Sequence, residues 1–134
     1  MLKGINHITI AVSDLDRSII YYSQVLGMTL KVQWLKGAYL TLAGQWFCLS
    51  LDDVCVNQDY SHLAFDIDTD HFDAFSQRLL EQDVKQWKSN KSEGQSLYIV
   101  DPDGYQLEVH VGTLASRMQK MRDNQTDDMI FYDQ

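Results

Sequence analysis

The chain has 134 residues, of which 45% are hydrophobic and 22% charged, with a formal net charge of −8. This is the composition of a globular protein, long enough for one domain with a real core and short enough to leave little chain spare. The acidic balance excludes a nucleic-acid partner, which needs a basic face, and argues against an anionic membrane surface. A small anionic substrate stays compatible, because a local basic cluster can oppose the net field within a screening length of roughly 8 Å.

Residues 5–12 alternate as a strand does. Ser13-Asp14-Leu15-Asp16 follows as a helix start, with Ser13 read as the N-cap hydroxyl and Asp16 as the carboxylate three residues on. Leu15, Ile19, Tyr22 and Leu26 then fall at the spacing of one buried helix face, and Gly27 ends the helix. Strands are predicted over 29–35, 38–43 and 46–51, with Gly37 and Gly44 at the breaks, followed by a short polar linker over 52–60. The second half repeats this order. A strand over 62–67 leads into a helix capped by Asp68 or Thr69, whose buried face is Phe72, Phe75 and Leu79. Strands near 84–88, 97–100 and 105–111 come next, the last two joined by the turn Asp101-Pro102-Asp103-Gly104. The tail reads as a helix with Leu114, Met118 and Met121 on one side.

The chain is thus an α+β fold of two βαβββ modules, about 1–56 and 57–112, with a C-terminal helix over about 113–123, all within one domain. No apolar stretch reaches membrane-spanning length, and the first five residues lack the regions of a signal peptide. A cytoplasmic location is expected, with Cys48 and Cys55 as reduced thiols.

Self-comparison also sets residues against one another. Asn6-His7-Ile8-Thr9-Ile10-Ala11-Val12 is echoed by Ser61-His62-Leu63-Ala64-Phe65-Asp66-Ile67. Aligning Tyr39 with Tyr98 and Gly44 with Gly104 puts Cys48 opposite Glu108. A lone histidine at a strand start is ordinarily just satisfied or exposed. Two at matched repeat positions, with a carboxylate at a third, point to a metal held by His7, His62 and Glu108. Such a mixed nitrogen and oxygen set suits Mn²⁺, Fe²⁺, Ni²⁺ or Zn²⁺ and leaves positions open for Lewis-acid chemistry. Cys48 is read as a small buried hydrophobe, with a fourth-ligand role as the minority reading. His71, among Asp68, Asp70 and Asp73, is read as solvated. His110 shares the strand face of Glu108 but is assigned to packing.

Residues 87–98 concentrate ammonium, hydroxyl and phenol donors in Lys88, Ser89, Lys91, Ser92, Ser96 and Tyr98. Alone, such a stretch is most simply a polar hairpin loop. Upstream of Glu108 it is also what a phosphate or phosphonate needs, with Arg117 on the tail helix able to add a guanidinium fork. Asn90, Ser92, Glu93, Gly94 and Ser96 offer oxygens enough for a hard monovalent cation.

With these residues in place, the chain resembles the vicinal oxygen chelate superfamily and, within it, the manganese-dependent fosfomycin glutathione transferases. The matching stretches are residues 6–12, Gly37-Ala38-Tyr39-Leu40, Trp46-Phe47-Cys48-Leu49-Ser50, Trp87 to Gly94, the Asp101–Gly104 turn and Leu107 to Gly112. The turn alone is weak, being common across the superfamily; the Asn-x-Ser-Glu-Gly loop with Thr9, Tyr39 and Tyr98 is specific. The resemblance implies Mn²⁺ on His7, His62 and Glu108, and phosphonate binding by Lys88, Ser92, Tyr98 and Arg117. It implies K⁺, as activator, at Asn90, Ser92, Glu93, Gly94 and Ser96. Thr9 would lie beside the epoxide oxygen and Tyr39 would assist thiol ionisation, with Trp34, Trp46, Cys48 and Ser50 lining the thiol side. The implied reaction is opening of the fosfomycin epoxide by glutathione, in a homodimer whose sites draw on both chains. Lys91, Gln95 and Lys36 depart from the usual family residues and bear on cation tuning and thiol affinity.

Three competitors are weighed. Epoxide hydrolysis needs a carboxylate base near the carbon, and Gly37 in the matching region supplies none. Ring-cleaving dioxygenases share the ligand set but have no use for the Lys88 and Arg117 cluster. A drug-sequestering binding dimer needs no metal ligands.

Overall fold

The computed structural model describes residues 1–90 and 94–132. Module 1 runs β1 (His7–Val12), α1 (Leu15–Ile20), β2 (Thr29–Trp34), β3 (Gly37–Leu42) and β4 (Gln45–Leu51). Module 2 runs β5 (Leu63–Asp66), α2 (Thr69–Glu81), β6 (Gln86–Lys88), β7 (Ser96–Val100) and β8 (Gln106–His110), and α3 (Leu114–Asp123) closes the chain. The two sheets have the same topology, β1-β4-β3-β2 and β5-β8-β7-β6. In each, the first strand pairs in parallel with the last, and the other pairings are antiparallel.

The register reproduces the alignment of the two halves. Thr9, Cys48 and Tyr39 form one row across β1, β4 and β3. Ala64, Glu108 and Tyr98 form the equivalent row across β5, β8 and β7. Each sheet is also irregular at the same place: the pairing shifts between Leu30 and Val32 in β2, and between Gln86 and Lys88 in β6. The bulge re-aims the edge strand, so that Val32 lies opposite Tyr39 and Lys88 opposite Tyr98.

Inward positions of both modules feed one core, with Val12, Tyr22, Leu40, Phe47 and Leu49 from the first and Leu79, Ile99, Leu107 and Val109 from the second. Each such side chain contributes roughly 1.5–3 kcal/mol relative to exposure. Outward positions along β1, β3 and β4 carry His7, Thr9, Tyr39 and Trp46, and every residue of β2 is exposed.

The start of α1 departs from the sequence reading. Asp14, not Ser13, is the N-cap: its carboxylate accepts from the Arg17 N–H at 3.1 Å. Ser13 instead gives its N–H and hydroxyl to Asp103, in the turn between β7 and β8, and Arg17 pairs with the same carboxylate at 3.3 Å. A residue 90 positions away outbids a local cap, which no local pattern reveals. After Ile20 the helix widens into a π-helical turn over Tyr21–Val25. This brings the Tyr22 hydroxyl to 2.7 Å from the Asp101 carboxylate, whose other oxygen accepts from the N–H groups of Asp103 and Tyr105. Burial pushes the Asp101 carboxyl above the usual range and, with the Asp101 charge beside it, raises the Tyr22 phenol.

The N-terminus of α3 is closed by a capping box between Thr113 and Ser116. Its expected apolar side is not covered within the chain: Leu114 is 75% exposed, Met121 is exposed and Met118 half-buried. Among the described residues no helix is long and apolar enough to cross a membrane.

Candidate metal centre

His62 stands immediately before β5, and its ring is fixed from both sides. Nδ1 lies 2.8 Å from the carbonyl oxygen of Tyr60. A carbonyl only accepts, so Nδ1 carries the hydrogen and, in the neutral ring, Nε2 carries a lone pair. That nitrogen faces Oε1 of Glu108 at 2.9 Å. Two acceptors held at this distance require a shared cation, either a proton on the imidazole or a metal ion. Glu108 is 8% exposed, and its second oxygen, Oε2, accepts from the Ser96 hydroxyl at 2.7 Å. A buried carboxylate with one oxygen saturated and the other turned to an imidazole lone pair is the donor set that a divalent cation uses.

His7 is prepared in the same way. Its Nδ1 lies 2.7 Å from the Asn6 side-chain oxygen, which leaves Nε2 as the ligating atom, and its ring rests on Trp46 at 4.4 Å between centroids. It belongs to the first sheet, however. Among the described residues of one chain, no group of three or more His, Cys, Asp or Glu side chains is placed to hold a metal. The chain therefore brings His62 and Glu108 together and presents His7 elsewhere.

Lys88, at the end of β6, sits between two phenol rings. Its Nζ is 4.6 Å from the Tyr60 centroid and 4.7 Å from that of Tyr98, and it donates to the Tyr60 hydroxyl at 2.6 Å. That bond raises the Lys88 ammonium above its ordinary pKa and keeps it charged. Trp87 donates its indole N–H to the Leu107 carbonyl at 2.9 Å and packs against His62, Tyr60 and Tyr98. Tyr60 escaped the sequence reading because it lies in what looks like a polar linker. Its one signal is position, two residues before His62, and only the fold shows that both its carbonyl and its ring are used.

Asn90 donates to the Gly94 carbonyl at 2.8 Å and closes the loop ahead of β7; Gly94 has φ of +83°, open to glycine and costly for other residues. Ser96, expected at a cation, directs its hydroxyl to Glu108. Arg117 is half-buried in α3, its N–H bonded to the Thr113 carbonyl. Ser92 and Glu93, expected at the phosphonate and cation sites, lie outside the described residues.

The thiol-side residues gather on the first sheet. Trp34, Tyr39 and Trp46 form successive edge contacts at 4.8 and 5.1 Å, continuing to His7. Thr9 and Tyr39 flank Cys48, which is buried, and Ser50 pairs with Ala11 and Gly37. Gly37 has no room for a side chain: a Cβ there would stand 2.7 Å from the Trp34 ring and 2.8 Å from the Leu49 carbonyl oxygen.

This fold and this site define a class. Residues 4–109 match the model of the Glyoxalase/Bleomycin resistance protein/Dioxygenase superfamily, and the chain belongs to that superfamily. More particularly, it is 45% identical to the glutathione transferase FosA of Serratia marcescens, over 98% of this chain and 96% of that one. It is 38% identical to the metallothiol transferase FosB of Shouchella clausii, over 100% and 97% of the two chains. Among solved structures, the fosfomycin resistance protein FosX of Listeria monocytogenes, in complex with Mn(II) and sulfate, superposes with a TM-score of 0.82. That match has 28% identity and covers 90% of this chain and 98% of FosX.

Proposed function

We infer that the chain is a metal-dependent thiol transferase that adds glutathione to C1 of the fosfomycin epoxide and so inactivates the antibiotic. The observation that carries this reading is the Nε2 of His62 facing the buried Glu108 carboxylate, with the Lys88 ammonium held alongside by Tyr60 and Tyr98. Similarity to a glutathione transferase and to metallothiol transferases along the whole chain sets the reaction class.

His62 and Glu108 would hold the metal, Mn²⁺ by preference, with His7 from a second copy of the chain as third ligand. A homodimer with shared sites reconciles a complete ligand set with its separation inside one chain. When bound, the metal supplies Lewis-acid stabilisation of the negative charge that grows on the epoxide oxygen as the ring opens. Lys88 and Tyr98, with Ser92 and Arg117, hold the phosphonate and turn C1 toward the incoming sulfur, a positioning contribution. Thr9 donates a hydrogen bond to the oxygen that leaves C1. Tyr39 stabilises the thiolate, whose free pKa is near ~8.5. Trp34, Trp46, Cys48 and Ser50 line the approach of the thiol. In balance, a C–S bond forms at C1, the C1–O bond breaks, and the proton lost by the thiol ends on the new hydroxyl. Asn90, Ser92, Glu93, Gly94 and Ser96 are the groups for an activating K⁺. Glutathione as the thiol suits a cytoplasmic enzyme with Cys48 and Cys55 free.

Hydrolysis of the same epoxide is disfavoured at Gly37, where the Trp34 ring and the Leu49 carbonyl leave no room for a carboxylate. The test is incubation of purified protein with Mn²⁺, fosfomycin and glutathione, followed by phosphorus NMR. The expected product is the glutathione adduct. Diol in its place would make the chain a hydrolase, and tight drug binding with no product would make it a sequestering protein.

A further inference from the structure

Behind Glu108 lies a side chain that the reaction described above does not use. His110 Nδ1 is 2.6 Å from the Ser96 hydroxyl oxygen and 3.3 Å from Oε2 of Glu108, and Ser96 Oγ is itself 2.7 Å from Oε2. The proton inventory of this chain has one solution that satisfies every group. The serine has a single hydroxyl hydrogen, and the carboxylate can only accept. Turning that hydrogen toward His110 would aim the serine lone pairs at a buried carboxylate. The hydroxyl therefore donates to Oε2, and Nδ1 must carry the hydrogen that Ser96 accepts.

We propose that His110 is a positioning residue for Glu108: acting through Ser96, it occupies Oε2 and so leaves Oε1 as the oxygen presented beside His62 Nε2. The proposal rests on the metal reading of His62 and Glu108. Strand register provides its framework. Ser96 pairs with His110, and one step along the same face Tyr98 pairs with Glu108. The ring itself lies in a slot between two glycines. A Cβ on Gly112 would stand 3.0 Å from His110 Nε2, and one on Gly94 would stand 3.6 Å from Cε1. Both glycines have positive φ, +142° and +83°. The imidazole is thus confined on the side away from Ser96 by backbone that no other residue would form cheaply, and Gly94 ties it to the loop ahead of β7. Partners that orient a ligand in this way typically change metal affinity by roughly 10–100-fold when removed.

The test measures Mn²⁺ affinity of the metal-free full-length protein from the EPR signal of free Mn²⁺, for wild type, His110→Phe and His110→Asn. His110→Phe keeps the ring and loses the donor, and is expected to bind about 10–100-fold more weakly. His110→Asn restores an N–H close to the position of Nδ1 and is expected to remain within about threefold of wild type. Unchanged affinity in His110→Phe overturns the proposal, and so does an equal loss in both variants, which would assign the effect to shape. Should His110→Phe fail to fold by near-ultraviolet circular dichroism, Ser96→Ala breaks the same chain at its middle; wild-type affinity in that variant overturns the proposal equally. A wild-type protein that binds no Mn²⁺ removes the metal reading itself, an outcome distinct from the other three.

Discussion

At the scale of single residues, the site depends on which atom of each ring is committed to the backbone. The Tyr60 carbonyl and the Asn6 side chain each take the Nδ1 hydrogen of the histidine nearby, so both imidazoles offer Nε2. Lys88 shows the same economy of placement. A lone ammonium at a strand end would swing in solvent, but two phenol faces and the Tyr60 hydroxyl hold this one beside Glu108. Replacing Lys88 by Met keeps the aliphatic stem and removes the charge. The KM for fosfomycin should rise roughly tenfold or more, the scale of a lost charge-assisted hydrogen bond, while Mn²⁺ affinity stays within a factor of about three. Steady-state kinetics and a metal titration on the same preparation check both halves of that statement. The candidate residues themselves were legible in the sequence as types at repeat positions. Tyr60 and His110 were not, because their roles come from a carbonyl, a ring face and a hydroxyl chain that spacing does not encode.

At the scale of elements, the turn between β7 and β8 acts as the latch between modules. Asp101 accepts from Tyr22, and Asp103 receives Ser13 and Arg17, so one four-residue turn grips both ends of the first helical segment. Because burial raises the Asp101 carboxyl, the protonated form is favoured in the fold. Its contribution is fully present below the pKa of the unfolded carboxyl and is lost as pH rises through the raised, folded value. Urea denaturation across this window should show the stability of wild type falling with pH relative to Asp101→Asn, with a constant difference above it. A difference that grows in the opposite direction would mean the hydrogen bonds outweigh burial at this carboxylate. The turn type was readable from Asp-Pro-Asp-Gly, since proline and glycine act locally. What the turn grips was not, and Ser13, expected to cap α1, was reassigned for that reason.

At the scale of the whole molecule, the two sheets separate the candidate site into complementary halves. His62, Glu108, Lys88 and Tyr98 belong to one, and His7, Thr9, Tyr39 and Trp46 to the other. If a second copy completes each site, two inactive variants should rescue one another. His7→Ala and Glu108→Ala, each inactive alone, would form mixed dimers with one site carrying both lesions and one carrying neither. After co-refolding at equal concentration, about a quarter of wild-type activity should return, since half of randomly assorted dimers are mixed. No recovery, despite mixed dimers detected by native mass spectrometry, would place all the ligands of one site in one chain.

What the sequence by itself determined was the repeat and everything that follows from local periodicity: two βαβββ modules, the rows that set Cys48 opposite Glu108 and Tyr39 opposite Tyr98, and the kind of ligand at each position. Strand alternation and helix spacing are short-range properties, and duplication lets one half be read against the other. Only the tertiary structure decided which of those positions meet. It placed His62 against Glu108 and His7 on the other sheet, and it turned Ser96 and His110 toward the carboxylate. It also gave Asp103, not the helix, the hydroxyl of Ser13. Contacts of that kind depend on the register between strands far apart in the chain and on how the sheets are set, which side-chain periodicity leaves open.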